Sequence, residues 1–270
     1  MKIEDLTPFL TPSAGTIYSM DWKVIDYESI DSTNLEARRL IESGGEGAGL
    51  VVRARHQTAG RGRLQRDWWD LPGQSLLVTL VLNTMPGSEA TRLACVAAVA
   101  AIHGKTGGGP LIKWPNDLVY ERKKVAGVLA EALPASGLTL VGMGINLNYQ
   151  PGELAYPASS SLLIEEPGEW DPDRLLAAIL DEVDRRRTGG NNALAREYAA
   201  ALAYLGERVT VRPPYSLHGE PGAREEPLEG TVRGVDDDGF LLLETTGGAI
   251  HRIVAGDLEP ADEKTTGRKT

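Results

Sequence analysis

The residues in this sequence best suited to chemistry are Gln57-Thr58-Ala59-Gly60-Arg61-Gly62-Arg63. Glycine at 60 and 62 removes Cβ atoms, so backbone amides there can come close to a bound group. Successive exposed amides make a concave anion site. Arg61 and Arg63 stand two apart, and an extended backbone sends both side chains to one side. Arginine is permanently charged and forks onto phosphate or carboxylate. The combination suits an anionic ligand. Disordered RNA-binding tails use similar Gly-Arg steps, but strands are expected on either side here, which makes this a structured loop. It is not a dinucleotide-binding fingerprint, which needs glycine where Gln65 stands. Nor is Gly104-Lys105-Thr106 a P-loop, because Val99 occupies the position of its first glycine.

Three further groups carry possible chemistry. Lys113-Trp114-Pro115-Asn116-Asp117 unites a cation, an aromatic and a carboxylate between two short strands. Asp117 is a candidate ligand for Mg²⁺, which is commonly held by one or two carboxylates plus substrate phosphates. A strand-end lysine followed by a turn accounts for the same residues without any chemistry. Gly142-Met143-Gly144-Ile145-Asn146 closes a strand. Glycine inside a strand marks a close approach of ligand or backbone, and Asn146 has the donor and acceptor that reading an adenine edge requires. A β-bulge with a hairpin asparagine is the alternative. Ser32-Thr33-Asn34 opens a helix. Capping explains it, while the outward N–H groups of a helix start would suit a carbonyl or ureido oxygen.

The elements that must position these groups can be read from periodicity and punctuation. Residues 1–20 hold Pro8, Pro12 and Gly15 and read as an irregular arm. Trp22 to Tyr27 and Leu50 to Ala54 read as strands. Between them a helix starts at Asp31–Asn34, with Thr33 and Glu36 at capping-box spacing. Ser75 to Asn83 is a strand, followed by a helix from an N-cap at Ser88 to about His103. Short strands follow at 111–113 and 118–120, and longer ones at 125–133 and 138–147. Asp171-Pro172 starts another helix, and a last one runs from about Ala193 to Tyr204. After Gly206 come short strands at 209–211, 228–235, 240–244 and 250–254, with hairpin signals at Asp238-Gly239 and Gly247-Gly248. The charged, prolyl stretch 213–227 reads as an inserted loop and the polar tail after Ala261 as disordered. The expected domains are an arm (1–20), an α+β domain with a mixed sheet and packed helices (21–206), a small β-barrel (207–262) and a tail (263–270).

The formal net charge of −10 over 270 residues argues against a general nucleic-acid surface. Yet the stretch from Gly47 to Arg66 contains no acid and five arginines, Arg53, Arg55, Arg61, Arg63 and Arg66. No run approaches the roughly 18 apolar residues a membrane span requires, and the N-terminus lacks the order of a signal peptide. The expectation is a cytoplasmic protein. The single cysteine, Cys95, lies in an Ala/Val run and reads as a buried small hydrophobe.

In this order and spacing, Ser-Thr-Asn, Gln-Thr-x-Gly-Arg-Gly-Arg, Lys-Trp-Pro-Asn-Asp, Lys-x-Ala-Gly-x-x-x-Glu (Lys124 to Glu131) and Gly-x-Gly-Ile-Asn resemble the biotin–protein ligase family. The resemblance implies a class II synthetase-like catalytic domain and an SH3-like C-terminal barrel. It implies that biotin and ATP form biotinyl-5′-AMP, and that biotin then passes to a lysine of a biotin carboxyl carrier protein. By the same resemblance Ser32, Thr33, Asn34 and Gln57 would line the biotin pocket. Gly60, Arg61, Gly62 and Arg63 would close over biotin and its adenylate. Lys113 would meet the carboxyl and α-phosphate, making it and Arg63 the catalytic pair. Trp68, Gly142, Gly144 and Asn146 would join Arg63 and Lys113 on the ATP side, and Mg²⁺ would accompany the nucleotide. Gln65 departs from the family's glycine after the arginine loop. Only about 30 residues precede Ser32, too few for the DNA-binding module of the regulatory members, so DNA is not an expected partner. The chain could be a monomer or a homodimer. Lipoate or octanoyl attachment on the same scaffold, and a non-catalytic biotin-responsive regulator, are the competing functions.

Overall fold

An apolar run with strand periodicity seeds the molecule. Ser75–Asn83 (β4) is buried at eight consecutive positions. A strand covered on both faces belongs at the centre of a sheet, and β4 lies inside an eight-stranded one. The computed structural model describes residues 2–4, 20–166, 168–188, 191–213 and 226–261. Its large sheet comprises β1 (Lys2–Glu4), β2 (Lys23–Tyr27), β3 (Leu50–Ala54), β4, β5 (Leu111–Lys113), β6 (Asp117–Tyr120), β7 (Lys123–Leu133) and β8 (Leu138–Asn146), in the order β1-β2-β3-β4-β8-β7-β6-β5. Among the described strand pairs of this sheet, only β2–β3 is parallel.

Side-chain alternation divides this sheet into two faces. Leu76, Val78, Leu80 and Leu82 of β4 join one apolar cluster with α2 (Gly87–Thr106), α4 (Pro172–Arg187) and α5 (Asn191–Ala200). Val81 joins a second cluster with Leu138 and Leu140 of β8, Leu133 of β7, and Ala37 and Ile41 of α1 (Thr33–Glu42). On that second face α1 covers only part of the sheet. The remainder, where alternation puts Thr79, Gly127, Gly142, Gly144 and Asn146, is left for something else to cover.

The C-terminal sheet is antiparallel, in the order β12-β11-β10-β9-β13: β9 (Arg208–Arg212), β10 (Leu228–Val235), β11 (Leu241–Glu244), β12 (Ile250–Ile253) and β13 (Asp257–Pro260). Its inward residues Val209, Val211, Val232, Leu241, Leu243 and Leu258 belong to the same cluster as α2 and α4. The fold is α+β, with a mixed sheet and a small all-β unit, as expected. Among the described residues no helix is long and apolar enough to cross a membrane.

Several local expectations are corrected. The capping box at Thr33 and Glu36 does not form: Ser32 is the N-cap without a side-chain bond, and Glu36 is taken by Tyr27 Oη and Arg39. Helix α2 starts one residue before Ser88, with Pro86 as its cap residue. The last helix stops at Ala200 because Ala201 and Ala203 pair with Ile112 of β5 instead. Part of the supposedly irregular arm, Lys2–Glu4, pairs antiparallel with β2. Strand β13 went unread because its opening Gly256-Asp257 looks like a turn. Asp171 does cap α4, accepting from the amides of Asp173 and Arg174, with Pro172 at the first turn. The rest of the arm, most of the inserted loop (214–225) and the tail (262–270) lie outside the described residues.

Candidate active site

The uncovered part of the sheet is the floor of a cavity of about 610 Å³. Glycine makes that floor usable. A Cβ on Gly144 would meet Cε2 and Cζ2 of Trp68 at 2.5 Å, and one on Gly142 would meet Asn34 Oδ1 at 2.3 Å. Trp68 therefore packs directly on β8, and the Asn34 side chain presses onto the same strand. The two glycines make room for other side chains of the chain, where the sequence suggested direct room for a nucleotide. Trp68 Nε1 is buried without a hydrogen-bond partner, and the Lys124 ammonium stands 5.5 Å from the ring centroid.

The loop from Gln57 to Asp70 forms one wall. It folds back on itself through Trp68 N to Gly60 O (2.9 Å) and Gly62 N to Arg66 O (2.7 Å). Gly60 serves that closure: a Cβ there would lie 2.9 Å from Trp68 O, and Gly60 does not line the cavity. Leu64 and Gln65 turn the tip with φ of 56° and 60°. Non-glycine residues favour this left-handed region poorly, at roughly 1–2 kcal/mol per residue. Gln65 thus bears a conformation that glycine would adopt freely. Arg63 donates to Asn116 Oδ1 (3.1 Å) and to Gly256 O (3.2 Å), and lies 3.6 Å from Asp257. Arg66 also pairs with Asp257. The start of β13 therefore holds the tip of the arginine loop.

At the entry end, Gln57 Oε1 accepts from the Thr33 amide and hydroxyl at 2.7 and 3.1 Å. Thr79, fully buried on β4, lies 2.9 Å from Thr33 Oγ1 and donates to Asn34 Oδ1 at 2.6 Å. Asn34 Nδ2 in turn reaches Glu131 Oε2 at 3.2 Å. The helix start is thus locked by side chains from two strands and the loop.

All the candidate residues except Gly60 line this one cavity: Ser32, Thr33, Asn34, Gln57, Arg61, Gly62, Arg63, Trp68, Lys113, Asp117, Gly142, Gly144 and Asn146. Lys113 has no ion-pair partner among the described residues. Trp114 is core, its Nε1 donating to Gly239 O at 3.0 Å. Asn146 is buried with Nδ2 donating to Ser160 O at 2.9 Å, so part of its adenine-reading capacity is already used. Asp117, expected at a magnesium ion, is ion-paired to Lys124 at 2.7 Å. Among the described residues no three His, Cys, Asp or Glu cluster around a metal position. The donor set does not fit a protein-held metal. Cys95 is buried, and burial pushes its thiol up in pKa, which rules it out as a ready nucleophile.

Arg66, Asn116 and Lys124 lie in stretches the sequence marked but were given no individual place in the site, and Asp257 was not marked at all. Lys124 had a signal, because it opens the Lys-x-Ala-Gly-x-x-x-Glu stretch and Gly127 leaves room for its ammonium. Arg66, Asn116 and Asp257 depend on long-range contact. The lining holds six basic residues (Arg61, Arg63, Arg66, Lys113, Arg122, Lys124) against three acids (Asp67, Asp117, Asp257). A cationic cavity in a chain of net charge −10 concentrates anionic ligands and stabilises anionic transition states.

Residues 27–148 match the model of the Biotin/lipoate A/B protein ligase family, and residues 222–259 match the Biotin protein ligase C terminal domain. The chain is 30% identical to the biotin–[acetyl-CoA-carboxylase] ligase of Mycobacterium tuberculosis, over 88% of this chain and 89% of that one. It is 32% identical to the enzyme of that name from Paracoccus denitrificans, over 81% and 92%. Among solved structures, it is similar to the biotin protein ligase from Aquifex aeolicus in complex with biotin and ATP. That match has a TM-score of 0.72 at 25% identity and covers 87% of this chain and 97% of the other.

Proposed function

The chain belongs to the biotin/lipoate A/B protein ligase family, and from that premise we infer its reaction and the roles of its residues. It is an ATP-dependent biotin–protein ligase. The biotin carboxylate attacks the α-phosphorus of ATP. A P–O bond forms, the bond to the β-phosphate bridge breaks, and pyrophosphate leaves with the electron pair. The amine of a carrier-protein lysine then attacks the acyl carbon, AMP departs, and the amine loses its proton.

The first step brings together two anions. Unit charges 4 Å apart repel by roughly 1 kcal/mol in water and about 4 kcal/mol near a protein surface. Lys113 and Arg63 offset that repulsion, with Lys124 and Arg66 at the same cavity wall. No side-chain nucleophile is required, because holding both reactants in line is the main task. Ser32, Thr33, Asn34 and Gln57 hold biotin; Trp68, Gly142, Gly144 and Asn146 form the nucleotide side, with Arg63 and Lys113 shared. Gly60, Arg61 and Gly62 carry the loop that shields the water-sensitive adenylate. Mg²⁺ arrives as the counter-ion of the triphosphate, since Asp117 already has a partner in Lys124. The acceptor is a biotin carboxyl carrier domain.

The observation that carries this reading is the convergence of four separated sequence segments on one cationic cavity. The test is ATP-dependent transfer of radiolabelled biotin to a purified carrier domain, with lipoate supplied in a parallel reaction. Biotin incorporation is expected. Labelling by lipoate alone would reassign the substrate, and labelling by neither would remove the ligase reading.

A further inference from the structure

Behind the wall of the cavity sits a charged group that the reaction does not use. The Asp70 side chain is completely buried, 0% exposed, and neither it nor His56 lines the cavity. His56 Nδ1 lies 2.8 Å from Asp70 Oδ1. A carboxylate only accepts, so the proton of this contact is on Nδ1. The backbone amide of Gln57 donates to the same carboxylate, 3.2 Å from each oxygen. A buried carboxylate is costly unless its lone pairs are satisfied, and among the described residues its partners are two consecutive ones, His56 and Gln57.

Those residues are where the arginine loop begins, and Asp70 is where it ends. The carboxylate therefore ties the exit of the loop to its entry. The residue it fixes at the entry, Gln57, accepts both hydrogen bonds from Thr33. The tip is held independently, by Asn116, Gly256 and Asp257 on Arg63 and by Asp257 on Arg66. Entry and tip thus have separate anchors. At the entry the backbone of residues 56–59 also bonds to Ile30 and Asp31 (Ile30 N to His56 O, Thr58 N to Ile30 O, Ala59 N to Asp31 O), and Asp70 is the side chain that holds the Gln57 amide itself.

We propose that Asp70, assisted by His56, is a positioning residue for the acid-binding end of the site: it fixes the Gln57 backbone so that the Gln57 amide and the start of α1 present one rigid polar edge to the vitamin. This rests on the ligase reading above. It predicts a selective effect. Loss of the carboxylate loosens the biotin edge and leaves the nucleotide edge, held by Trp68 seated on β8 and by Arg63 at the loop tip, in place.

The experiment measures biotin-dependent ATP–pyrophosphate exchange in wild type, Asp70→Asn, Asp70→Ala and His56→Ala, with KM for biotin and for ATP obtained separately and thermal melts of each variant. Asp70→Ala should raise the biotin KM at least tenfold while the ATP KM stays within twofold. Asp70→Asn, which keeps an acceptor but not the charge, should fall between it and wild type. His56→Ala, a change at a half-buried position that leaves the Asp70–Gln57 bond, should raise the biotin KM severalfold with an unchanged ATP KM. This variant carries the test if the Asp70 variants do not fold. Parallel rises in both KM values, which general loosening would produce, overturn the proposal, and so does an unchanged biotin KM. A wild type without biotin-dependent exchange would fail the ligase reading itself, a result distinct from any of these.

Discussion

Gly144→Ala tests the seat of Trp68 most directly. The added Cβ would stand 2.5 Å from Cε2 and Cζ2 of the indole and 3.0 Å from Cη2. Carbon atoms rest at about 3.5–4.0 Å, so about 1 Å of relief must come from somewhere. It cannot come from the strand, because Gly144 is flanked by Leu77 of β4 and Gly127 of β7 in an unbroken ladder. The indole must rise. It stands on the loop carrying Arg63 and Arg66, with Trp68 N bonded to Gly60 O, so the loop moves with it. Overpacking of this kind costs about 1–3 kcal/mol. At 1.4 kcal/mol per tenfold, the ATP KM should rise by roughly 5- to 140-fold if the loss falls on the nucleotide side, and the melt should fall if it falls on the free protein. Pyrophosphate exchange with ATP varied, together with thermal melts, reads both. In a Trp68→Ala background the same glycine substitution should cost almost nothing, since the clash is gone. Wild-type ATP KM and melting for Gly144→Ala would refute the packing argument.

Lys113→Ala should lower pyrophosphate exchange by about a hundredfold or more, the usual scale for removing a group that stabilises transition-state charge; near-normal exchange would remove Lys113 from the mechanism. Arg63→Ala should release biotinyl-adenylate faster and lower acceptor labelling, and wild-type off-rates in a filter or stopped-flow assay would reject that role. Arg39 holds the Asp31 carboxyl at about 2 by its hydrogen bond. A depressed carboxylate contributes stability above its ordinary value of 3.8 and loses it as pH falls through about 2. Both side chains are more than a third exposed, so Arg39→Ala should cost less than about 1 kcal/mol at neutral pH and clearly less near pH 2, where the Asp31 carboxyl is half protonated, as denaturant titrations at the two pH values would read.

The strands and helices were largely legible from simple patterns: β4 is apolar at six of its nine positions, and α4 has Asp171-Pro172 before a regular apolar stripe. What escaped depends on contact between distant residues. Ala201–Ala203 looks helical, and only its pairing with Ile112 makes it extended. Gly256-Asp257 looks like a turn, and only the arginine loop gives it significance. The candidate site was readable as a set of motifs, but the parts played by its glycines were not. Spacing cannot distinguish a glycine that admits a ligand from one that admits a tryptophan; the neighbour of Gly144 lies 76 positions earlier in the chain. Gln65 was visible as an odd residue in a glycine position, and its φ of 60° gives that oddity a physical meaning.

The shared apolar cluster has a consequence for how the chain comes apart. Val209, Val211 and Leu258 pack into the same interior as α2 and α4, and Trp114 Nε1 and the Arg92 guanidinium reach across to carbonyls of Gly239 and Asp237. Heat cannot peel the terminal sheet away without opening the main interior to water. The protein should therefore lose its structure in a single step, and a chain cut after Gly206 would forfeit more than the module removed, because the wall that steadies its arginines would leave with it.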